Sequence, residues 1–266
     1  MRAWSHDFNK LRETDLSILA NTSVFLPELV RRLKGEKEAL KKKGAEVEKR
    51  RAQWAKLHAE RGEAQDKQTK TKWDEKPIST SRLYSEMAEL LKNEDWVLTN
   101  GTSSGRENFF LPAGTFNQIL GKYKGGGLGY GLPASLGAAL AHKGSGKLCV
   151  DLQPDGDMLF TASGLWTAAH HKIPLLIIVC SNHSDYNDEE HQERMAVLRG
   201  RPVENKTIGI RIEDPVVDFT SLARSYGVWG AGPVTEPGDL KKVLRDALKV
   251  VKEGKPALVD VACQMR

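Results

Sequence analysis

Hard oxygen donors occur in two short segments of the sequence, each directly after an apolar run. The first segment is Pro154-Asp155-Gly156-Asp157, and the second is Ser181-Asn182-His183-Ser184-Asp185. Mg²⁺ prefers octahedral oxygen coordination and takes few ligands from protein and the rest from phosphate and water. Asp155 and Asn182 can therefore supply two ligands to a magnesium ion that also holds a phosphate-containing molecule.

Two further segments contain glycine beside hydroxyl groups or a helix start. Residues 100–105 read Asn-Gly-Thr-Ser-Ser-Gly, and residues 125–131 read Gly-Gly-Gly-Leu-Gly-Tyr-Gly. Glycine lets the backbone approach a phosphate closely, and the N-terminus of a following helix adds a favourable partial charge. Together the four segments predict a site for a diphosphate held through magnesium.

The elements that must position these segments lie after residue 77, where apolar runs alternate with amphipathic stretches. This texture predicts an α/β fold with a doubly wound parallel sheet. The predicted strands are 96–99, 147–152, 174–180, a short one near 228, and 257–263, and the predicted helices are 78–92, 133–142, 162–172, 219–226 and 239–252. The run at 174–180 is almost continuously apolar, which indicates a central strand. Ligands bind such sheets beyond the carboxyl ends of the strands, where the polar segments fall.

These residues resemble a known family. Thiamine-diphosphate-dependent enzymes share a Gly-Asp-Gly motif that is followed by an asparagine, and here Asp155 and Asn182 are 27 positions apart. Residues 126–134 and 165–169 are similar to segments of the group that contains acetolactate synthase, benzoylformate decarboxylase and 2-hydroxyacyl-CoA lyase. The resemblance covers residues 78–264 and implies the C-terminal diphosphate-binding domain, with thiamine diphosphate and Mg²⁺ as cofactors.

The resemblance also implies roles for single residues. Asp155, the Asn182 side chain and the Ser184 backbone carbonyl would bind Mg²⁺, and Leu128 would be the bulky residue on which the cofactor bends. The full implied set of cofactor-binding residues is Gly101, Thr102, Ser103, Gly127, Leu128, Asp155, Gly156, Asp157, Asn182, Ser184, Asp185 and Tyr186. His183 is a candidate catalytic residue that would face the substrate.

Two positions depart from the family motif. Pro154 stands where the first glycine is expected, and Ser181 stands where the usual asparagine pair begins. Neither is an expected metal ligand. A non-catalytic regulatory or structural subunit with a degenerate site therefore stays open as the alternative to an enzyme.

In this family, the glutamate that activates the cofactor belongs to a separate pyrimidine-binding domain, which residues before 77 are too few to form. We expect a second chain to supply that domain in a hetero-oligomer such as a heterotetramer. The clean start at Met1 favours a natural subunit over a fragment. The implied reaction cleaves or forms a C–C bond next to a carbonyl, as in a 2-oxo acid decarboxylase, a carboligase such as acetolactate synthase, or a 2-hydroxyacyl-CoA lyase.

The charge of the chain is concentrated in one segment. The formal net charge is +5, yet residues 31–72 carry 15 basic and 7 acidic residues. Interleaved charges of this kind predict a solvated helix and linker over 34–76, after a tail of a central domain at 1–33 and before the cofactor-binding domain at 77–266. Nucleic-acid binding is the weaker alternative, because there is little aromatic interleaving beyond Trp54.

Other readings of the sequence are excluded or less favoured. No apolar run approaches the roughly 18 residues of a membrane span, and the first residues lack a secretory core, so we expect a cytoplasmic protein without a membrane partner. Cys149, Cys180 and Cys263 lie in predicted strands and are expected to be buried thiols. Residues 129–134 fit a dinucleotide fingerprint with Asp151 as its acid, but no strand leads into Gly129.

Overall fold

The structure, a computed structural model, describes residues 15–102, 107, 110–111, 114, 118–120 and 127–265. Contacts divide the chain into two units, with the boundary between Asp66 and Lys67. The helices that precede the second unit or cross into it are α1 (Thr22–Gly35), α2 (Lys37–Lys42) and α3 (Gly44–Thr71). Within the described ranges, no helix is both long enough and apolar enough to cross a membrane.

The charged segment forms helix, as its composition predicts. Asn21 caps α1 by accepting a hydrogen bond from the Ser23 N–H over 3.0 Å. Along α3, charged side chains pair one turn apart, as in the 3.6 Å contact between Arg50 and Glu46. Such exposed pairs contribute only about 0.3–0.5 kcal/mol each, so they support a solvated helix without creating a core.

The second unit is built on a five-stranded parallel sheet with the order β1-β2-β3-β5-β4. The strands are β1 (Trp96–Asn100), β2 (Leu148–Pro154), β3 (Leu176–Ser181), β4 (Trp229–Val234) and β5 (Ala257–Ala262). All six residues of β3 are buried. Its central position confirms the prediction from its continuous apolar sequence.

Helices cover both faces of the sheet. They are α4 (Thr80–Leu91), α5 (Gly131–Ala141), α6 (Asp155–Phe160), α7 (Gly164–His170), α8 (Tyr186–Leu198), α9 (Phe219–Ser225) and α10 (Pro237–Lys252). Alternate strand residues point to opposite faces: Ile178 packs in the core under α4 and α10, whereas Ile177 packs in the core under α5, α7 and α9. The α/β, doubly wound parallel fold is thus confirmed.

Two helices were not predicted from the sequence. Residues 155–157 begin α6, and the polar stretch after Asp185 forms α8, where only Glu189 is buried. Helix α8 has no apolar stripe, so the periodic signal that identifies amphipathic helices is missing. Both helices carry acidic residues in the first turn, which the helix dipole favours.

Candidate functional site

The carboxyl ends of β2 and β3 bring the two acidic segments together. Pro154 at the end of β2 is in register with Cys180 of β3, so Asp155 and Asn182 leave the sheet side by side. Oδ2 of Asp155 accepts hydrogen bonds from the backbone N–H groups of Asn182 (3.0 Å) and His183 (2.7 Å). The two segments of the motif are therefore in direct contact.

Residues 182–185, here called the rim turn, have a constrained conformation. Oδ1 of Asn182 accepts a hydrogen bond from the Ser184 N–H over 3.0 Å. His183 has a φ of +54°, a left-handed conformation that costs a non-glycine residue energy. Among the described residues, none donates a hydrogen bond to the Ser184 carbonyl. The turn thus leaves backbone and amide oxygens with free acceptor capacity.

The Asp155 carboxylate is buried, with only 1% of its surface exposed. Burial raises the pKa of Asp155 to about 6, although backbone N–H groups of Gly156 and His183 act in the opposite direction. A nearby cation favours the charged form of a carboxylate and would offset this cost. Three backbone donors occupy its oxygens, which can accept about four hydrogen bonds, so capacity for a further ligand remains.

The donor set at this site suits a hard cation. Asp155, Asn182 and Ser184 offer a carboxylate, an amide oxygen and a backbone carbonyl, which are ligand types that Mg²⁺ accepts. Within the described part of the chain, no group of three or more His, Cys, Asp or Glu side chains has a metal-binding arrangement. The residues therefore fit an ion that takes few protein ligands and completes its shell elsewhere.

The Asp185 side chain of the rim turn lies so close to Gly156 that there is no room for a side chain at position 156. A Cβ atom at position 156 would overlap Oδ1 of Asp185 and lie 2.9 Å from its Cγ. Burial raises the pKa of Asp185, and the charges of Asp188 and Asp157 add to the effect. The start of α6 and the rim turn are thus packed against each other with an unusual density of carboxylates.

The Asp157 carboxylate holds the glycine segment that leads into α5. It accepts hydrogen bonds from the backbone N–H of Gly129 (2.5 Å) and of Gly131 (3.2 Å), and from Nε2 of Gln153 (2.6 Å). Asp157 is 2% exposed. Contact between Asp157 and a diphosphate stays a prediction, while its role as an anchor for the glycine segment is visible.

Beneath this anchor lies a set of polar side chains, here called the inner polar cluster: Asn100, Asp151, Gln153 and Asp157. Nδ2 of Asn100 lies 3.1 Å from both Oε1 of Gln153 and Oδ1 of Asp151. Burial raises the pKa of Asp151 to about 7, against the hydrogen bond from Asn100 that lowers it. This cluster was not predicted from the sequence, although polar residues inside the apolar strand β2 were an available signal.

Residues 101–261 match the family described as thiamine pyrophosphate enzyme, C-terminal TPP binding domain. This match covers more than half of the chain. The chain belongs to the thiamine pyrophosphate enzymes.

Individual members of that family show the same relationship. The chain is 31% identical over 136 residues to the acetolactate synthase large subunit of Buchnera aphidicola (subsp. Acyrthosiphon pisum), covering 51% of this chain and 22% of that protein. It is 29% identical over 139 residues to benzoylformate decarboxylase of Pseudomonas aeruginosa, covering 52% and 24%. The similar segment therefore spans about a quarter of the length of these relatives.

A solved structure of the family has the same fold. The thiamine diphosphate-dependent 4-hydroxybenzoylformate decarboxylase of Rhodococcus jostii RHA1 superposes with a TM-score of 0.57 at 26% identity. The superposition covers 71% of this chain and 33% of that one. The resemblance stated from the sequence motifs is thus confirmed at the level of the family and the fold.

The remaining residues implied by the thiamine pyrophosphate family lie around the same sheet edge or outside the described residues. Gly101 follows β1 and is buried, and Oγ1 of Thr102 donates to Glu107 over 2.8 Å. Gly127 and Leu128 are exposed, and Tyr186 begins α8. Ser103 lies outside the described residues. The cofactor contacts of all these residues stay predictions.

Asp260 on β5 is a further side chain at the site that was not predicted from the sequence. Oγ of Ser181, at the end of β3, donates a hydrogen bond to Oδ1 of Asp260 over 2.5 Å. Burial raises the pKa of Asp260, with the Ser181 hydrogen bond acting against it. Ser181, which departs from the family motif, therefore has a defined partner on β5. The hydrogen bonds of the rim turn to Asp155 are formed with serine at this position.

Proposed function

We propose that this chain binds thiamine diphosphate through Mg²⁺ and is part of an enzyme that cleaves or forms a C–C bond next to a carbonyl. The substrate would be a 2-oxo acid or a 2-hydroxyacyl compound, as for a decarboxylase, a carboligase or a lyase. The single observation that carries the proposal is the joining of Asp155 to the rim turn through its hydrogen bonds to residues 182 and 183. It supports a magnesium site because Asp155, Asn182 and Ser184, the three proposed oxygen donors, follow adjacent strand ends.

Each donor has a distinct role in this proposal. Asp155 supplies the only charged protein ligand, Asn182 supplies its amide oxygen, and Ser184 supplies its backbone carbonyl. When bound, thiamine diphosphate supplies a nucleophilic carbon and accepts the electron pair released from the bond next to the carbonyl. The protein holds the diphosphate end rigidly, so that the reacting end keeps a fixed geometry.

The exposed Leu128 side chain supports a cofactor contact at the glycine segment. Leu128 is 52% exposed, and the N–H of its neighbour Gly129 donates a hydrogen bond to the Asp157 carboxylate. An apolar side chain on a firmly anchored segment provides a surface on which a bound cofactor can rest. The proposed cofactor-binding set also includes Gly101, Thr102, Ser103, Gly127, Gly156, Asp157, Asp185 and Tyr186. His183, partly exposed in the rim turn, is the proposed side chain facing the substrate.

We also propose that activity requires a second chain that supplies a pyrimidine-binding domain. Large apolar side chains are exposed along α5, α6 and α7, next to the glycine segment: Leu128, Leu140, Leu159, Phe160 and Trp166. Exposed apolar side chains that lie together mark interaction sites. These side chains support a hetero-oligomer in which the partner covers this part of the chain.

The proposed division into domains rests on the composition and charge pattern of the sequence. Residues 77–266 would form the cofactor-binding domain, residues 34–76 a charged helix and linker, and residues 1–33 the tail of a central domain. A cytoplasmic location also remains a prediction. Asp155 and the rim turn both belong to the second unit.

The direct test is calorimetric titration of thiamine diphosphate with Mg²⁺ into the chain, alone and after co-purification with its partner. Binding should be lost in Asp155→Ala, with a decrease in affinity larger than the roughly 100-fold that loss of a residue supporting a metal ligand causes. Asp239→Ala is the matched control, because Asp239 also lies in the first turn of a helix but is exposed.

The result distinguishes the enzyme from the alternative. Binding that requires the partner and Asp155 would support a two-chain enzyme and direct a substrate screen. Absence of binding in both states would contradict the proposal and favour a regulatory or structural subunit that has kept the fold.

A further inference from the structure

We propose that Glu189 and Arg211 are positioning residues that fix the rim turn and thereby the Ser184 carbonyl. The consequence for cofactor binding rests on the function proposed above. Neither residue belongs to the family motif from which the site was identified. The proposal depends on two sets of contacts, one through the backbone and one through an ion cluster around the buried Glu189.

The backbone contacts join the rim turn to residues 210–212. Ser184 lies opposite Arg211 in an antiparallel bridge. Two hydrogen bonds form this connection, from the Ile212 N–H to the His183 carbonyl (2.9 Å) and from the Asp185 N–H to the Ile210 carbonyl (3.0 Å). Neighbouring residues of an antiparallel strand alternate in the direction of their carbonyls. The bridge therefore uses the carbonyl of His183 and directs the carbonyl of Ser184 away from residues 210–212.

The side-chain contacts reinforce the same connection. Glu189 on α8 is 2% exposed, and its Oε2 accepts a hydrogen bond from Oγ of Ser184 over 3.1 Å. Nη2 of Arg211 donates to Oε1 of Glu189 over 3.1 Å. Nε of Arg211 lies 3.0 Å from Oε2, but its proton is not directed at that oxygen, so this contact is an ion pair without a second hydrogen bond.

Lys206 completes the cluster at its outer side. Its Nζ lies 3.7 Å from Oε1 of Glu189 and 2.7 Å from Oε2 of Glu193. Glu193 is on the same helix as Glu189, four residues further on, and its side chain is 47% exposed. The two glutamates thus differ mainly in burial and in contact with the rim turn, which makes Glu193 a matched control.

The burial of Glu189 explains why the cluster can hold the turn. A buried carboxylate is tolerated only when it is paired and hydrogen-bonded, and removal of one partner leaves an uncompensated charge. Without Arg211, Glu189 is left as a buried charge that must turn toward water, and the Ser184 hydroxyl then loses its fixed acceptor. The direction of the Ser184 carbonyl is set by the backbone conformation of the rim turn. It therefore depends on the contacts that fix this turn.

The first experiment measures hydrogen exchange of the full chain without cofactor. The backbone amides of Asn182, His183, Ser184 and Asp185 are all hydrogen-bonded, so their exchange reports the order of the rim turn. We expect Glu189→Gln and Arg211→Ala to accelerate exchange in this peptide at least about 10-fold. Peptides from β4 and β5 should keep the wild-type rate, which shows that the variants are folded.

The second experiment titrates thiamine diphosphate with Mg²⁺ into the same variants, in the state in which the wild type binds. Affinity should fall about 10- to 100-fold, the effect expected for residues that orient a metal ligand. Arg211→Lys should recover part of this loss because it keeps a positive charge beside Glu189. Glu193→Gln should leave both exchange and affinity at the wild-type values.

The two experiments separate failure of this inference from failure of the proposed function. Unchanged exchange of the rim turn in Glu189→Gln and Arg211→Ala would overturn the inference, as would unchanged cofactor affinity. Accelerated exchange in both variants, with no cofactor binding by the wild type, would support the connection and overturn the proposed function. Accelerated exchange with weakened binding would support both.

Discussion

The inner polar cluster and the rim turn both contact carboxylates at the end of β2, yet they use their hydrogen-bonding capacity differently. In the cluster, Asp157 is occupied by two backbone amides and Gln153. In the rim turn, the Asn182 side-chain oxygen accepts one hydrogen bond, and no described residue donates to the Ser184 carbonyl. The comparison indicates that Asp157 is occupied by contacts within the fold, whereas the rim turn keeps acceptor capacity for the ligand proposed above.

The largest expected effect comes from disturbing the cluster at Gly131. A Cβ atom at this position would lie 2.5 Å from Oδ2 of Asp157 and 2.6 Å from Nδ2 of Asn100, and still closer to Oε1 of Gln153. Asn100, Gln153 and Asp157 are connected by hydrogen bonds, so none of these side chains can move away without losing a hydrogen bond. Gly131→Ala should lower the free energy of unfolding by on the order of 3 kcal/mol, as measured by urea denaturation.

Gly137→Ala on the same helix is the control for this change. A Cβ atom at position 137 has no neighbour within 4 Å. The substitution should raise the free energy of unfolding by about 0.5–1 kcal/mol, because alanine is the better helix former. If Gly131→Ala is as stable as the wild type, the inner polar cluster can rearrange. The cluster would then not be more tightly constrained than the rim turn.

A second prediction concerns the pH dependence that the cluster imposes. Burial raises the pKa of Asp151 from 3.8 to about 7, so its contribution to stability is fully present below pH 4 and is lost as the pH rises to 7. This loss amounts to about 1.4 kcal/mol for each pH unit between the two pKa values. Asp151→Asn keeps the shape and removes the titration. The variant should therefore gain stability relative to the wild type between pH 4 and 7.

Urea denaturation of both proteins at several pH values tests this prediction. The difference between variant and wild type should rise from pH 4 to pH 7 and then stay constant. Asp239→Asn, at an exposed carboxylate, controls for loss of charge alone. A difference that does not depend on pH would show that Asp151 titrates normally in the folded chain.

The fold was predictable from the sequence because most of its elements carry local signals. The strand β3 is continuously apolar, and Ser79 caps α4 by accepting a hydrogen bond from the Arg82 N–H. The proximity of Asp155 and Asn182 was also predictable, because each residue directly follows a strand of a parallel sheet. Their role in metal binding stays a prediction. Both signals are carried by the residue types of single segments, and the parallel sheet then brings the segments at 155 and 182 together.

The supporting contacts were not predictable, because they join residues distant in sequence. Asp260 is paired with Ser181 across 79 positions, and Arg211 reaches Glu189 across 22. A polar residue within an apolar strand signals that a partner must exist but does not identify it. Helix α8 was missed for a related reason, since its position depends on the ion cluster and on no apolar stripe.

The smallest expected effect tests the strain in the rim turn. His183 and Lys172 both have left-handed backbones, with φ of +54° and +49°, but only His183 belongs to the turn. At each position the glycine variant should be more stable than the alanine variant by about 1 kcal/mol, because only alanine has a Cβ that opposes this conformation. Urea denaturation of the four variants measures both differences.

Cofactor affinity then separates the two positions. The alanine and glycine variants at Lys172 should bind thiamine diphosphate and Mg²⁺ equally well, because Lys172 follows α7 outside the site. At position 183, glycine should weaken binding relative to alanine by a few-fold, roughly 1 kcal/mol, since a more flexible turn must be ordered when the ligand binds. Equal affinity of the two variants at position 183 would show that the hydrogen bonds of the rim turn keep it ordered whichever residue occupies this position.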